Sequence, residues 1–158
     1  MAFGKKDHLI GLDIGSRSIK AAEIVETKRG STLKNFGTID IAHGAIEEGT
    51  INDPETVAES LQQLMKSCGI KESNVAVSIG GYSVIVKKII VQTMAEEQLQ
   101  ETIHFEAEQY IPFDISDVNL DFQILGESES NPGQKNVSLV AAKTEMVNDY
   151  FYIVTLAD

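Results

Sequence analysis

The chain has 158 residues, a length that holds one ordinary domain or two small subdomains and excludes two full-size ones. Its 42% hydrophobic and 23% charged content is that of a globular chain with a core rather than a disordered one. With 24 acidic residues against 13 basic and a net charge of -11, its average field repels duplex nucleic acid and anionic lipid.

The first block reads as three strands over residues 8–14, 19–27 and 32–42. Gly15, Ser16, Arg17 and Ser18 join the first two, and Lys28, Arg29 and Gly30 join the second pair. Both connections are tight, so the three strands are predicted to be antiparallel neighbours. Residues 44–52 read as a loop. Asp53 caps a helix with Pro54 in its first turn and Glu55 beside the positive end of its dipole. Val57, Leu61, Leu64 and Met65 give that helix one apolar stripe, and Gly69 ends it. Residues 75–79 then read as a short buried parallel strand.

Gly80 and Gly81 mark a boundary. Beyond it, residues 84–91 are a β-branched strand, and Thr93 with Glu96 is predicted to form a capping box. The helix so opened places Leu99, Ile103, Ala107 and Tyr110 inward and stops at Pro112. Val118, Leu120, Phe122 and Ile124 alternate with polar residues, as in a strand with one wet face. Residues 126–136 read as a turn and residues 137–142 as a more buried strand. Thr144 opens a last helix with Val147, Tyr150, Phe151 and Val154 on one side. The order is βββαβ followed by βαββα, without an internal repeat.

Chemistry concentrates in the first hairpin. Asp13 is a single acid at the end of an apolar strand, Gly15 follows it, and Ser16 and Ser18 carry small hydroxyls. Such a bend can turn several backbone N–H groups toward one point, making a nest for phosphate oxygens. Lys20 adds positive charge, and Asp13 is placed to hold a water of a phosphate-bound Mg²⁺. The plainer alternative is an Asx turn in which Asp13 and Gly15 serve only the bend.

The hairpin sequence IGLDIGSRSIKAAE resembles the first phosphate loop of the actin and sugar-kinase superfamily. VIVKKI, EAEQYIPF, VNLDFQIL and LVAAK follow in the order of the PilM family, the FtsA-related actin-like proteins of type IV pilus assembly. The resemblance implies an α/β fold: an actin-like ATPase (ribonuclease H-like) core over residues 1–81, and an inserted βαββα subdomain of FtsA/PilM type over residues 82–158. It implies ATP and Mg²⁺ as ligands of the full-length parent, with Asp13 in the Mg²⁺ water shell, phosphate contacts from Gly15, Ser16, Arg17 and Ser18, and Lys20 facing the β-phosphate. Arg17 stands where relatives often carry a small residue. The implied partners are the N-terminal cytoplasmic peptide of PilN and the PilN/PilO inner-membrane complex, which would make the protein cytoplasmic and peripheral at that membrane. Tyr110, Ile111, Pro112 and Phe113 are the candidate lip of the peptide groove, against the plainer reading of a cluster packing its helix onto its own sheet. PilM-like chains are about twice as long, so the sequence is expected to be an N-terminal piece. The second wall of the nucleotide cleft would then be missing, an open sheet edge would favour self-association, and no hydrolysis is expected from this chain alone. Competing readings are an ATP-dependent enzyme of the same superfamily, such as a sugar kinase, and an interaction module that keeps the hairpin only for folding.

Other candidates carry less. Glu96, Glu97, Glu101, Glu106 and Glu108 read as a solvated helix face, and His104 with Glu108 is too few ligands for a metal. His8 and His43 are isolated. Gly44, Gly49 and Thr50 have the glycine spacing of a P-loop without its lysine. Cys68, the single cysteine, excludes an internal disulfide and cysteine-based zinc sites, points to a reducing compartment, and reads as a small buried hydrophobe. The sequon at Asn136, Val137 and Ser138 is discounted accordingly. No stretch approaches the ~20 apolar residues of a membrane span, and the start, broken by Asp7, His8 and Asp13, resembles no signal peptide.

Overall fold

A computed structural model describes residues 9–81 and 84–158; the expectations that fall on His8 and on the start of the second block at residue 82 lie outside the described residues. The chain divides into two compact units, one taking residues up to Gly80 together with Asn148–Asp158, the other being Gly81–Val147. The expectation that residues 82–158 form one subdomain is corrected here: most of the last helix belongs with the first unit.

In the first unit, β1 (Ile10–Ile14), β2 (Ser18–Thr27) and β3 (Gly30–Asp40) form an antiparallel meander, and β6 (Val75–Val77) joins β1 in parallel, giving the order β3-β2-β1-β6. Alternation in β1 sends Ile10, Leu12 and Ile14 to the buried face and Gly11 and Asp13 to the other. β6 is an edge strand, so Val75 and Val77 are half-buried rather than fully buried as the apolar run suggested. Between them, residues 44–52 are not a plain loop. β4 (Ile46–Glu47) and β5 (Thr50–Ile51) pair across a two-residue turn in which Glu48 and Gly49 both have positive φ, 51° and 86°. Those angles match the twist of a hairpin.

Helix α1 (Pro54–Ser67) starts where Asp53 accepts hydrogen bonds from the backbone N–H and the hydroxyl of Thr56, at 3.0 and 2.7 Å. These bonds hold the Asp53 carboxyl below its ordinary pKa, the backbone one contributing most. Val57, Ala58, Leu61 and Leu64 are buried, and Gly69 ends the helix at φ 67°. Glu23, only 3% exposed, meets Lys34 at 2.7 Å and the side-chain amide of Asn35 where the β2–β3 register shifts. A carboxylate so enclosed requires such partners. The C-terminal helix α3 (Thr144–Ala157) contributes Tyr150 and Ile153 to this unit's core. The face expected through Val147, Phe151 and Val154 is displaced by about one position: Met146, Tyr150 and Ile153 are buried and Phe151 is exposed.

The second unit is a sheet of order β7-β9-β8, from β7 (Val84–Gln92), β8 (Val118–Glu127) and β9 (Gln134–Lys143), with helix α2 (Glu96–Glu108). Ile89, Val91, Val137, Leu139 and Ala141 of the sheet pack with Leu99, Ile103 and Ala107 of the helix. The turn expected over residues 126–136 is shorter, because β8 and β9 take its two ends and residues 128–133 lie between them, with Ser128 buried and its N–H donating to the Gln134 carbonyl at 2.8 Å. The predicted Thr93–Glu96 box does not form. The Thr93 N–H is taken by the Gly133 carbonyl at 3.0 Å, and Gln98 instead accepts from the Ala95 N–H at 3.3 Å. The helix ends at Glu108, so Tyr110 turns out to solvent and Ile111 fills the core position expected of it.

Gly37 of β3 lets α1 lie close. A Cβ there would collide with the Cys68 sulfur and stand 3.0 Å from Leu64 Cδ1. Gly37→Ala is therefore expected to cost about 1–3 kcal/mol in urea unfolding, as overpacking does, and less in a Cys68→Ala background. Equal losses in both backgrounds would place the cause elsewhere.

Candidate functional site

Five residues pair across the first hairpin, Ile10 with Glu23 through Ile14 with Ile19, and this register sets Asp13 directly opposite Lys20. The Lys20 ammonium lies 2.6 Å from Asp13 Oδ2, with the two side chains 49% and 58% exposed. Both residues sit on the sheet face opposite the buried one, beside Gly11, Ala22, Phe36 and Ala76.

The bend itself is closed by the Gly15 N–H donating to the Ser18 carbonyl at 3.1 Å, and the Arg17 carbonyl is anchored by the Ile41 N–H at 3.0 Å. One amide expected to face a ligand is thus turned inward. The Ser16 and Arg17 N–H groups donate to no backbone carbonyl among the described residues, which leaves them as the donors of the bend. Gly15 does not have positive φ, and a Cβ there would meet only the Ser18 carbonyl oxygen, at 3.4 Å, so the turn itself does not demand glycine.

Asp13, Gly15 and Ser16 border a recess of about 330 Å³ together with Glu48, Gly49, Ser78, Gly80 and Tyr150. Ser16 and Arg17 border a second one, of about 600 Å³, with His43, Gly44, Glu47, Glu48 and Asn52. Of the six expected phosphate-site residues, the fold therefore brings Asp13, Gly15 and Ser16 to one recess, keeps Lys20 at its margin through Asp13, turns Arg17 to the neighbouring recess, and leaves Ser18 half-buried at the start of β2. Nothing local in the sequence marks Glu48, Ser78 and Tyr150 as members of this recess. Tyr150 is 6% exposed, and burial first and the Asp13 charge second hold its hydroxyl above the ordinary pKa. Among the described residues no three His, Cys, Asp or Glu groups gather as a metal site.

The second candidate cluster is split. Ile111 lies in the core of the second unit, 6% exposed, so it cannot face a partner as expected. Tyr110 and Pro112 are exposed, and Phe113 is half-buried with the Lys143 ammonium 4.6 Å from its ring centre. Phe113 and Lys143 border a recess of about 470 Å³ with Asp114, Ser116, Asp117, Thr144 and Glu145. Asp114 accepts from the Ser116 N–H and hydroxyl, which lowers its pKa, the backbone bond contributing most.

The family model of the type IV pilus assembly protein PilM matches residues 11–158. The chain belongs to the PilM family. A structure described as the PilM-PilN type IV pilus biogenesis complex matches 97% of this chain at 26% identity and a TM-score of 0.86, over 45% of its own matched chain. The cytoplasmic domain of EpsL, an inner membrane component of the type II secretion system of Vibrio cholerae, matches 95% of this chain and 53% of its own at 13% identity and a TM-score of 0.57. The chain thus spans about half the length of these two structures. Its fold is α/β and actin-like, a core unit with an inserted unit of the FtsA/PilM type. No helix among the described residues is long and apolar enough to cross a membrane.

Because both partners are about half exposed, the Asp13–Lys20 pair should contribute no more than about 1 kcal/mol to stability. Lys20→Met is expected to shift the unfolding free energy by at most that amount in a denaturant titration. A loss of several kcal/mol would mean that the ammonium supports the fold itself.

Proposed function

We propose that this chain is a docking module of type IV pilus assembly that holds the cytoplasmic N-terminal peptide of PilN and, through it, the PilN/PilO complex at the inner membrane. The observation that carries this reading is the match of nearly its whole length to a PilM-PilN complex. Charge agrees with it: a chain of net charge -11 steers a peptide that combines basic and apolar residues. Tyr110, Pro112 and Phe113, exposed or half-buried beside Asp114 and Asp117, are the groups offered to that peptide.

The same reading gives the first hairpin a nucleotide. The residues fit a Mg²⁺-bound polyphosphate: a carboxylate at Asp13, hydroxyls at Ser16 and Tyr150, undonated amides at Ser16 and Arg17, and an ammonium at Lys20. Glu48 adds negative charge to the recess, which a divalent ion would offset. Asp13 would hold the ion through its water, and Lys20 with the amides would hold phosphate oxygens. When bound, the ion would neutralise phosphate charge.

A fluorescently labelled PilN N-terminal peptide titrated into the chain is expected to bind saturably. Phe113→Ala should weaken it about 10-fold, the scale of a lost interface anchor. Absence of saturable binding to the folded chain would end the scaffold reading.

A further inference from the structure

The recess beside the first hairpin has one wall that comes from far along the chain. Tyr150 of α3 is 137 residues beyond Asp13 in sequence, yet borders the same cavity as Asp13, Gly15 and Ser16. Its neighbour on the helix face, Ile153, is completely buried, and Tyr150 itself is 6% exposed. The ring is thus a core side chain.

Its hydroxyl is not accounted for by the core. No hydrogen bond to it is made among the described residues, and it is not sealed in: among those residues the fully enclosed side-chain group without a partner is the Ser128 hydroxyl, so the Tyr150 tip meets open space. Asp13, whose charge acts on it, is already bonded to Lys20. Burial and that carboxylate keep the phenol protonated well above neutrality, so it is a donor and not an anion in the cavity. A phenylalanine would fill the same space in the core without this donor. The recess is consequently bordered by donor-bearing residues from two elements, Ser16 of the hairpin and Tyr150 of the helix.

We infer that Tyr150 is a binding residue of the polyphosphate site, donating its hydroxyl to a phosphate oxygen from the wall that α3 supplies. The inference rests on the nucleotide reading of the hairpin and adds a residue that the loop sequence does not contain. It also accounts for a polar tip on an otherwise apolar helix face.

The test is Tyr150→Phe in the full chain, titrated calorimetrically with Mg·ATP and with Mg·pyrophosphate beside wild type and Asp13→Ala. Loss of one hydrogen bond to a charged acceptor should weaken both ligands about 10-fold or more, with an unchanged melting temperature. Cζ-labelled tyrosine spectra give a second measure. The resonance absent from the Phe variant is that of Tyr150, and it should move on adding either ligand to wild type. Wild-type affinity in Tyr150→Phe with binding abolished in Asp13→Ala would overturn the role of Tyr150 and leave the nucleotide reading standing. Absence of binding to wild type would overturn both. If the Phe variant failed to fold, Tyr82→Phe, Tyr110→Phe and Tyr152→Phe would assign the other three of the four tyrosine resonances, and an unmoved remaining resonance in saturated wild type would decide against the inference.

Discussion

The pairing of β1 with β2 is the constraint on which the site depends. Five residues of register put Asp13 opposite Lys20, and a shift by one residue would move every side chain of the strand to the other face. Ile10, Leu12 and Ile14 would then face solvent, and the core of the first unit would be lost. Hydrophobic burial thus holds the charges in place. The ion pair itself is half exposed and contributes little to stability, which leaves both groups available to a ligand. The fold fixes where these charges stand, and the chemistry is free to change what they hold.

The two units solve the same problem with different sheets. In the first, a mixed sheet is covered by α1 and by Asn148–Asp158 of α3; Gly37 admits α1 closely and Tyr150 fills the space beside the hairpin. In the second, an antiparallel sheet is covered by α2; Thr93 ties the approach to that helix to the turn at Gly133, and at its other end the Ile111 N–H returns to the Ala107 carbonyl while its side chain joins the core. Much of this was legible in the sequence because it rests on local rules. Asp53 followed by Pro54 starts a helix, Gly69 ends one, and alternation over residues 118–124 makes a strand. The misreadings occurred where a distant group intervened. Thr93 looked like a cap, but the hairpin tip at Gly133 took its amide. Tyr110 continued an apolar period, but the helix stopped two residues earlier. The edge position of β6 and the hairpin at Glu48 and Gly49 depend on neighbours that periodicity does not encode.

The site divides in the same way. Asp13, Gly15, Ser16 and Lys20 were visible because the loop carries them in one contiguous stretch, and register alone brings the two charged residues together. Arg17 and the Gly15 amide differ from expectation because hydrogen bonds to Ser18 and Ile41 orient that backbone. Tyr150 was read only as part of an apolar stripe. Nothing local marks it, since its relation to Asp13 comes from packing of the last helix and not from spacing. The one available signal was a phenol among aliphatic positions. Ile111 shows the reverse error, an apolar residue in an attractive motif that the core takes for itself.

The claim that the bend between β1 and β2 receives a polyphosphate is tested most directly by amide NMR of the 158-residue chain with Mg·ATP added. The account predicts saturable shifts centred on Ser16 and Arg17 and extending to Gly80, with the strand amides of β3 unmoved. Shifts absent from the bend at saturating ligand, or centred on the second unit instead, would contradict it.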